Sequence, residues 1–153
     1  MDLIVWRHAE AFDPTQGQAD ALRELTPKGE KQAKRMAAWL DRQLPNGVRV
    51  LVSPALRSVQ TAQALDRKHV LRRELSHDSG LEDVLQVTGW PDAKMPVLVV
   101  GHQPTLGRLI AHLLGLPEQE CAVRKGAVWW LRSRWREGAL QTVIVTVQNP
   151  DLL

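Results

Sequence analysis

The stretch LIVWRHAEA, residues 3–11, begins as an apolar run suited to a buried strand and stops abruptly on an arginine and a histidine. Leu3 to Trp6 carries β-branched and aromatic residues. Two later stretches share that character: VRVLVS, Val48 to Ser53, and PVLVVG, Pro96 to Gly101. Continuous apolar runs, with no polar residue at every second position, predict strands covered on both faces, the mark of a parallel sheet.

Helical patterns lie between these runs. In LTPKGEKQAKRMAAWLDRQLPNG, Thr26 reads as an N-cap with Pro27 at the first helical position. Ala33, Met36, Ala37, Leu40 and Leu44 then recur at helical spacing until Pro45-Asn46-Gly47. SPALRSVQTAQAL predicts the same device, with Ser53 as cap and Pro54 in first position. QPTLGRLIAHLLGLP predicts a helix opened by Pro104, with Leu106, Leu109, Ile110, Leu113 and Leu114 as its apolar face and Gly115 and Pro117 as its stop. Val70 to Pro96 is less periodic and yields only a short helix over Leu81 to Val87. GAVWWLRSRWREGALQTVIVTVQ reads as two strands joined around Glu137-Gly138, a hairpin. The expectation is a single domain over residues 1–153. It is an α/β fold of three layers, doubly wound, with a mostly parallel sheet, helices on both faces and at least one antiparallel strand from the C-terminal hairpin.

Composition narrows the function. A chain of 153 residues with 44% hydrophobic and 24% charged residues suits one globular domain with a substantial core. No apolar stretch approaches the roughly 20 residues that cross a bilayer, and MDLIVWRH lacks the basic region and cleavage site of a signal peptide. A cytoplasmic location with no membrane partner is therefore expected. Cys121 is the only cysteine, which excludes an intrachain disulfide and a thiolate metal cage. His69, His77 and His112 lack metal-ligand spacing, so no metal is expected and all three read as surface or partly buried histidines. The net charge is +3, yet arginine outnumbers lysine by 14 to 6, a bias that suits oxyanion recognition and equally fits genome composition. WWLRSRW interleaves tryptophan with arginine as stacking platforms do. At period two, however, Trp129, Leu131, Ser133 and Trp135 share one face and Trp130, Arg132, Arg134 and Arg136 the other. The arginines then read as the solvated side of an outer strand, and no nucleic-acid partner is expected.

In an open α/β sheet, ligands bind outside the carboxyl ends of the strands. Arg7 and His8 sit at one such end. Ser53-Pro54 sits at another, and Arg57, one turn into the next helix, leans back toward it because helical side chains tilt toward the N-terminus. Gly101-His102 closes a third strand, and the helix start that follows supplies free backbone N–H groups, that of Gln103 among them. Two arginines, two histidines and helix N-termini make a site for a dianion with a nucleophile in it, since a neutral imidazole can attack phosphorus. The positive charge of Arg7 and Arg57 is expected to disfavour protonation of His8.

Four ordered motifs carry a resemblance: RHAEA (Arg7 to Ala11), RELTPKG (Arg23 to Gly29), SPALRSVQTA (Ser53 to Ala62) and GHQP (Gly101 to Pro104). Together they resemble the histidine phosphatase superfamily, phosphoglycerate mutase-like, and within it the short SixA-type phosphohistidine phosphatases. The resemblance runs to about Leu114 and touches the hairpin only in general style. It implies His8 as the phosphorylated nucleophile, with Arg7, Arg57 and His102 binding the phosphoryl group. It also implies a hydrolase without cofactor, acting on a phosphorylated substrate such as a phosphohistidine-bearing signalling or phosphotransfer protein. Ser53 and Arg23 are further candidates for substrate binding, although Arg23, Thr26 and Gly29 read first as helix-start architecture. Asp78 and Ser79 are candidates only for the border of the crevice.

Two departures from the family pattern stand out. Ala9 replaces the superfamily's usual glycine, as in the short branch. Mutase-like relatives carry a carboxylic acid on an insertion over the pocket, and here Glu82 and Asp83 are the candidates, in a segment too short for a large lid. A site without an acid favours phosphohistidine over alkyl phosphates, because a protonated imidazole leaves as a neutral ring whereas an alkoxide needs a proton. The alternatives are a phosphatase for small phosphomonoesters and a catalytically silent phosphate- or phosphoprotein-binding module. The intact nucleophile at position 8 speaks against silence.

Overall fold

In the computed structural model, which describes residues 1–153, the apolar runs and periodic segments alternate along the chain. They form β1 (Asp2–Arg7), α1 (Pro27–Gln43), β2 (Arg49–Val52), α2 (Leu56–Gln63), β3 (Val70–Leu71), α3 (Leu81–Thr88), β4 (Val97–Gly101), α4 (Thr105–Leu114), β5 (Val128–Arg136) and β6 (Ala139–Gln148). One six-stranded sheet has the order β3-β2-β4-β1-β5-β6. β3, β2, β4 and β1 pair in parallel, while β5 runs antiparallel to β1 and β6 antiparallel to β5.

Alternating side chains of the buried strands feed two cores. Leu3, Val5, Leu51, Val97 and Val99 pack with Val84 and Val87 of α3 and Leu106, Leu109 and Ile110 of α4. Their neighbours Ile4, Trp6, Val50, Val52, Leu98 and Val100 point the other way and pack with Met36, Ala37 and Leu40 of α1 and Ala62 of α2. Helices thus cover both faces, which is why the strands read as unbroken apolar runs. No helix is long and apolar enough to cross a membrane.

The helix ends explain where the site's backbone lies. Thr26 caps α1: its Oγ1 accepts from the Gly29 N–H at 2.9 Å and donates to Glu10 Oε2 at 2.7 Å. Ser53 is not a helix cap. α2 starts at Leu56 behind Ala55, and the Ser53 hydroxyl accepts from the Ala55 N–H at 3.3 Å while facing His102 at 2.7 Å. That hydroxyl is engaged by a neighbouring strand end, and the chain turns before the helix begins. α4 closes on Gly115 in the left-handed conformation, φ 64°.

At the far end, Glu137 and Gly138, both at positive φ, form the tight turn between β5 and β6. β6, not β5, is the outer strand. Arg132 is accordingly not a free solvated arginine. It lies opposite Asp2, donating from Nε to Oδ1 at 2.7 Å and from Nη2 to Oδ2 at 2.8 Å, with the Trp130 indole N–H on the same carboxylate at 3.0 Å. Arg134 and Arg136 are exposed.

Candidate active site

The adjacency β2-β4-β1 sets the ends at Ser53, His102 and His8 side by side, with His102 in the middle. The His8 N–H donates to the Gly101 carbonyl at 3.0 Å, which joins two of these ends directly. The His8 and His102 rings lie 5.2 Å apart between centroids. Three strand ends and the first turn of α2 therefore converge on one crevice.

His8 is buried, with 7% of its surface exposed. Its Nδ1 lies 2.7 Å from the Ala9 carbonyl, which can only accept, so the proton is on Nδ1 and the lone pair on Nε2. The Ala9 N–H donates to Thr61 Oγ1 at 3.1 Å, and the Thr61 hydroxyl donates to the Arg57 carbonyl at 2.7 Å. The backbone beside His8 is thereby tied to α2. Burial is the main cause that pushes the His8 pKa down to about 4; Arg57, Arg7 and Arg23 add to it, and the Ala9 hydrogen bond opposes it. Burial thus outweighs the arginine charges that the sequence alone suggests as the cause.

His102 is also buried. Its Nδ1 faces the Arg57 Nη2 at 3.3 Å, and because a guanidinium only donates, Nδ1 is the acceptor and Nε2–H donates to Ser53 Oγ at 2.7 Å. Ser53 therefore fixes the ring of His102. Burial first, then the charges of His8, Arg57 and His77, push the His102 pKa down to about 3, with Asp20 opposing. Both rings are neutral near pH 7.

The arginines are held by carbonyls and one carboxylate. Arg7 Nη1 donates to the Val123 carbonyl at 2.8 Å. Arg57 donates from Nη1 to the Asp20 carbonyl and from Nη2 to Asp20 Oδ2, both at 2.9 Å. The Nε–H groups of Arg7 and Arg57 are both buried without an acceptor in the protein. Buried charged donors left unpaired are costly, so these two point to an anionic ligand as the missing acceptor.

The remaining candidates divide. Arg23 binds the Phe12 carbonyl through Nε at 2.7 Å and Asp20 Oδ1 through Nη1 at 3.1 Å, which brings it to the rim. The Gln103 side chain instead ties α4 to the next loop, accepting from the Gly107 N–H at 2.6 Å and donating to the Cys121 carbonyl at 2.8 Å. Asp83 caps α3, accepting from the Gly80 N–H at 3.0 Å. Neither Asp83 nor the exposed Glu82 makes a hydrogen bond or ion pair to the site residues. Ser79 accepts from the Thr105 hydroxyl through its carbonyl at 3.2 Å. No group of three or more His, Cys, Asp or Glu side chains is placed to hold a metal ion.

Sequence reasoning missed Asp20 and passed over His77. Asp20 lies on a short 3₁₀ turn, Asp20–Leu22, within a stretch that has no hydrophobic period. The only signal was its spacing of three from Arg23. His77 brings its Nδ1 to 3.8 Å from Asp20 Oδ2 and its ring to 6.2 Å from that of His102. An imidazole nucleophile beside buried cationic donors can bind a tetrahedral oxyanion and take a phosphoryl group covalently.

Known proteins resemble this chain in sequence and in fold. A family model described as histidine phosphatase superfamily (branch 1) matches residues 3–86. Phosphohistidine phosphatase SixA of Escherichia coli (strain K12) is 32% identical over 121 residues, 74% of this chain and 74% of that protein. A SixA homolog of Haemophilus influenzae is 30% identical over 131 residues, 75% of this chain and 78% of its own. A structure of the protein histidine phosphatase SixA complexed with tungstate superimposes with a TM-score of 0.79 at 26% identity, covering 99% of both chains.

Proposed function

The chain belongs to the histidine phosphatase superfamily and is a phosphatase of that type; from this premise we propose that it removes the phosphoryl group from a phosphohistidine carried by a protein, with His8 as the nucleophile. The observation that carries the reading is the state of His8: buried, neutral, proton fixed on Nδ1 by the Ala9 carbonyl, lone pair free on Nε2. In the first step Nε2 attacks phosphorus in line, the phosphorus–nitrogen bond of the substrate breaks, and the electron pair leaves with the substrate imidazole. Arg7 and Arg57, through the Nε–H groups that lack a protein acceptor, hold the equatorial oxygens where charge must be stabilised. His102 sits beside them, its ring set by Ser53 and Arg57. In the second step water attacks phospho-His8, the bond to Nε2 breaks, and orthophosphate leaves as His8 regains its lone pair.

The choice of a protein phosphohistidine rests on the relatives, since two of them bear the name phosphohistidine phosphatase SixA and a third was solved with tungstate, a tetrahedral oxyanion. The test is release of phosphate from a phosphohistidine-carrying phosphotransfer protein, compared with a panel of small phosphate esters. The expected result is a preference for the protein, an acid-labile phosphoenzyme in quenched reactions, and loss of both in His8→Ala while tungstate binding persists. A preference for small esters would move the reading to a phosphomonoesterase. Binding without any turnover would make the protein a phosphate-binding module, and a phosphoenzyme that survives His8→Ala would overturn the nucleophile.

A further inference from the structure

The anionic group in direct contact with Arg57 is the carboxylate of Asp20. It holds Arg57 through Oδ2 at 2.9 Å and Arg23 through Oδ1 at 3.1 Å, and it remains 42% exposed. Each oxygen accepts from one guanidinium and keeps a second acceptor site, so the exposed edge of the carboxylate can take one further N–H donor from a ligand. The third group facing it is an imidazole: His77 Nδ1 stands 3.8 Å from Oδ2 on a side chain 57% exposed. That ring lies edge-on to His102, 6.2 Å between centroids, so the crevice already seats an imidazole beside the phosphoryl-binding residues.

We infer that Asp20 is a specificity-determining residue whose carboxylate receives the distal N–H of the substrate's imidazolium, in the place that His77 occupies in this structure. The inference rests on the phosphohistidine reading and deepens it. In the reaction, the bond from His8 Nε2 to phosphorus forms and the phosphorus–nitrogen bond of the substrate breaks. The departing nitrogen keeps the electron pair, and the distal nitrogen keeps its proton on Asp20. The imidazole therefore leaves as a neutral ring, and no acid has to deliver a proton. An alkyl or aryl oxygen leaving group gains nothing from Asp20 and meets its charge instead. Arg57 serves both partners at once, because its Nη1 and Nη2 reach Asp20 while its Nε–H is free of protein acceptors. Hydrogen bonds from Arg23 and Arg57 hold the Asp20 carboxyl below its usual range against the opposing effect of burial, so the acceptor stays ionised.

The experiment compares Asp20→Asn with the unaltered protein on phosphoimidazole and on 4-nitrophenyl phosphate. A charge-assisted hydrogen bond lost only with the first substrate lowers its kcat/KM relative to that of the aryl phosphate by about 10- to 100-fold, over and above any smaller change that a loosened Arg57 imposes on both. An equal fall on both substrates, or an unchanged ratio, would overturn the inference by showing that Asp20 only props Arg57. His77→Ala is expected to leave phosphoimidazole turnover unchanged or faster; a loss beyond about tenfold would show that His77 belongs to the reaction and would overturn its part as an occupant. Because phosphoimidazole is a small molecule, these outcomes are separate from the function reading, which fails if the unaltered protein ignores protein phosphohistidine. Inertness of the unaltered protein toward phosphoimidazole would overturn the inference alone and leave the function reading to the protein substrate.

Discussion

At the scale of single residues, what made the site readable was position, and what hid part of it was the lack of a pattern. His8, Arg57 and His102 stand at or just beyond strand ends that the hydrophobic runs mark, so their juxtaposition follows from the sheet. Asp20 sits on a segment with no period, so the sequence offers no register from which to aim its carboxylate at Arg57. The acid question belongs at this scale too. Asp83 is engaged in capping α3 and Glu82 is exposed with no hydrogen bond or ion pair to the site residues, so the double change Glu82→Gln, Asp83→Asn is expected to alter phosphohistidine hydrolysis by less than about tenfold. A general acid would contribute about 10² to 10⁴. Initial-rate measurements on the folded variant decide this, and a loss in the larger range would make one of these carboxylates the proton donor.

At the scale of elements, α1 and α4 were legible because a proline at the start, a helical apolar face and a stop signal all agreed. α2 was misread at its first turn, since the same Ser-Pro pair that opens helices elsewhere is here engaged by His102. β3 escaped notice because two half-exposed residues, Val70 and Leu71, carry no alternation. The contact between α1 and the segment after β1 leaves no room for a side chain. A Cβ on Gly29 would overlap the Glu10 carbonyl oxygen, and Thr26 bridges the same two segments through its hydroxyl. Gly29→Ala is therefore expected to destabilise by about 1–3 kcal/mol, lowering Tm by about 2–4 °C per kcal/mol, and to depress turnover by displacing the backbone beside His8. Thr26→Ala removes the cap and the hydrogen bond to Glu10 without creating an overlap, and should cost about 1–2 kcal/mol. Thermal unfolding and kcat of the two variants would show the difference; a Gly29→Ala protein with full activity and unchanged Tm would contradict the packing argument.

At the scale of the whole molecule, alternation in the sequence announces a layered α/β fold but not the order of its strands. That order depends on long-range pairing, and it alone sets His102 between the other two strand ends. The molecule's dependence on acid follows from its two buried imidazoles. In the unfolded chain a histidine takes a proton near pH 6.5, whereas folded His8 and His102 resist until about 4 and about 3. Their contribution to stability is thus fully present above pH 6.5 and is lost as pH falls toward those lower values, at up to about 1.4 kcal/mol per pH unit for each ring. Urea midpoints should fall between pH 7 and pH 5, and His102→Gln should flatten the slope; a midpoint that rises with acid would refute the burial assigned to these rings.

The central position of β1 has a further bearing, on the order in which the protein is made. Leu3 lies between Val97 on one side and Leu131 on the other, so the strand synthesised first is flanked by strands synthesised much later. At about 5–20 residues per second, the ribosome takes on the order of 5–20 s after β1 emerges to deliver β4, and longer to deliver β5. Throughout that interval Leu3, Ile4, Val5 and Trp6, all fully buried in the finished molecule, have no sheet to enter. The nascent chain therefore carries this apolar strand unpaired until β4 and β5 emerge, and the burden of keeping it from the wrong partner falls on the cell rather than on the fold.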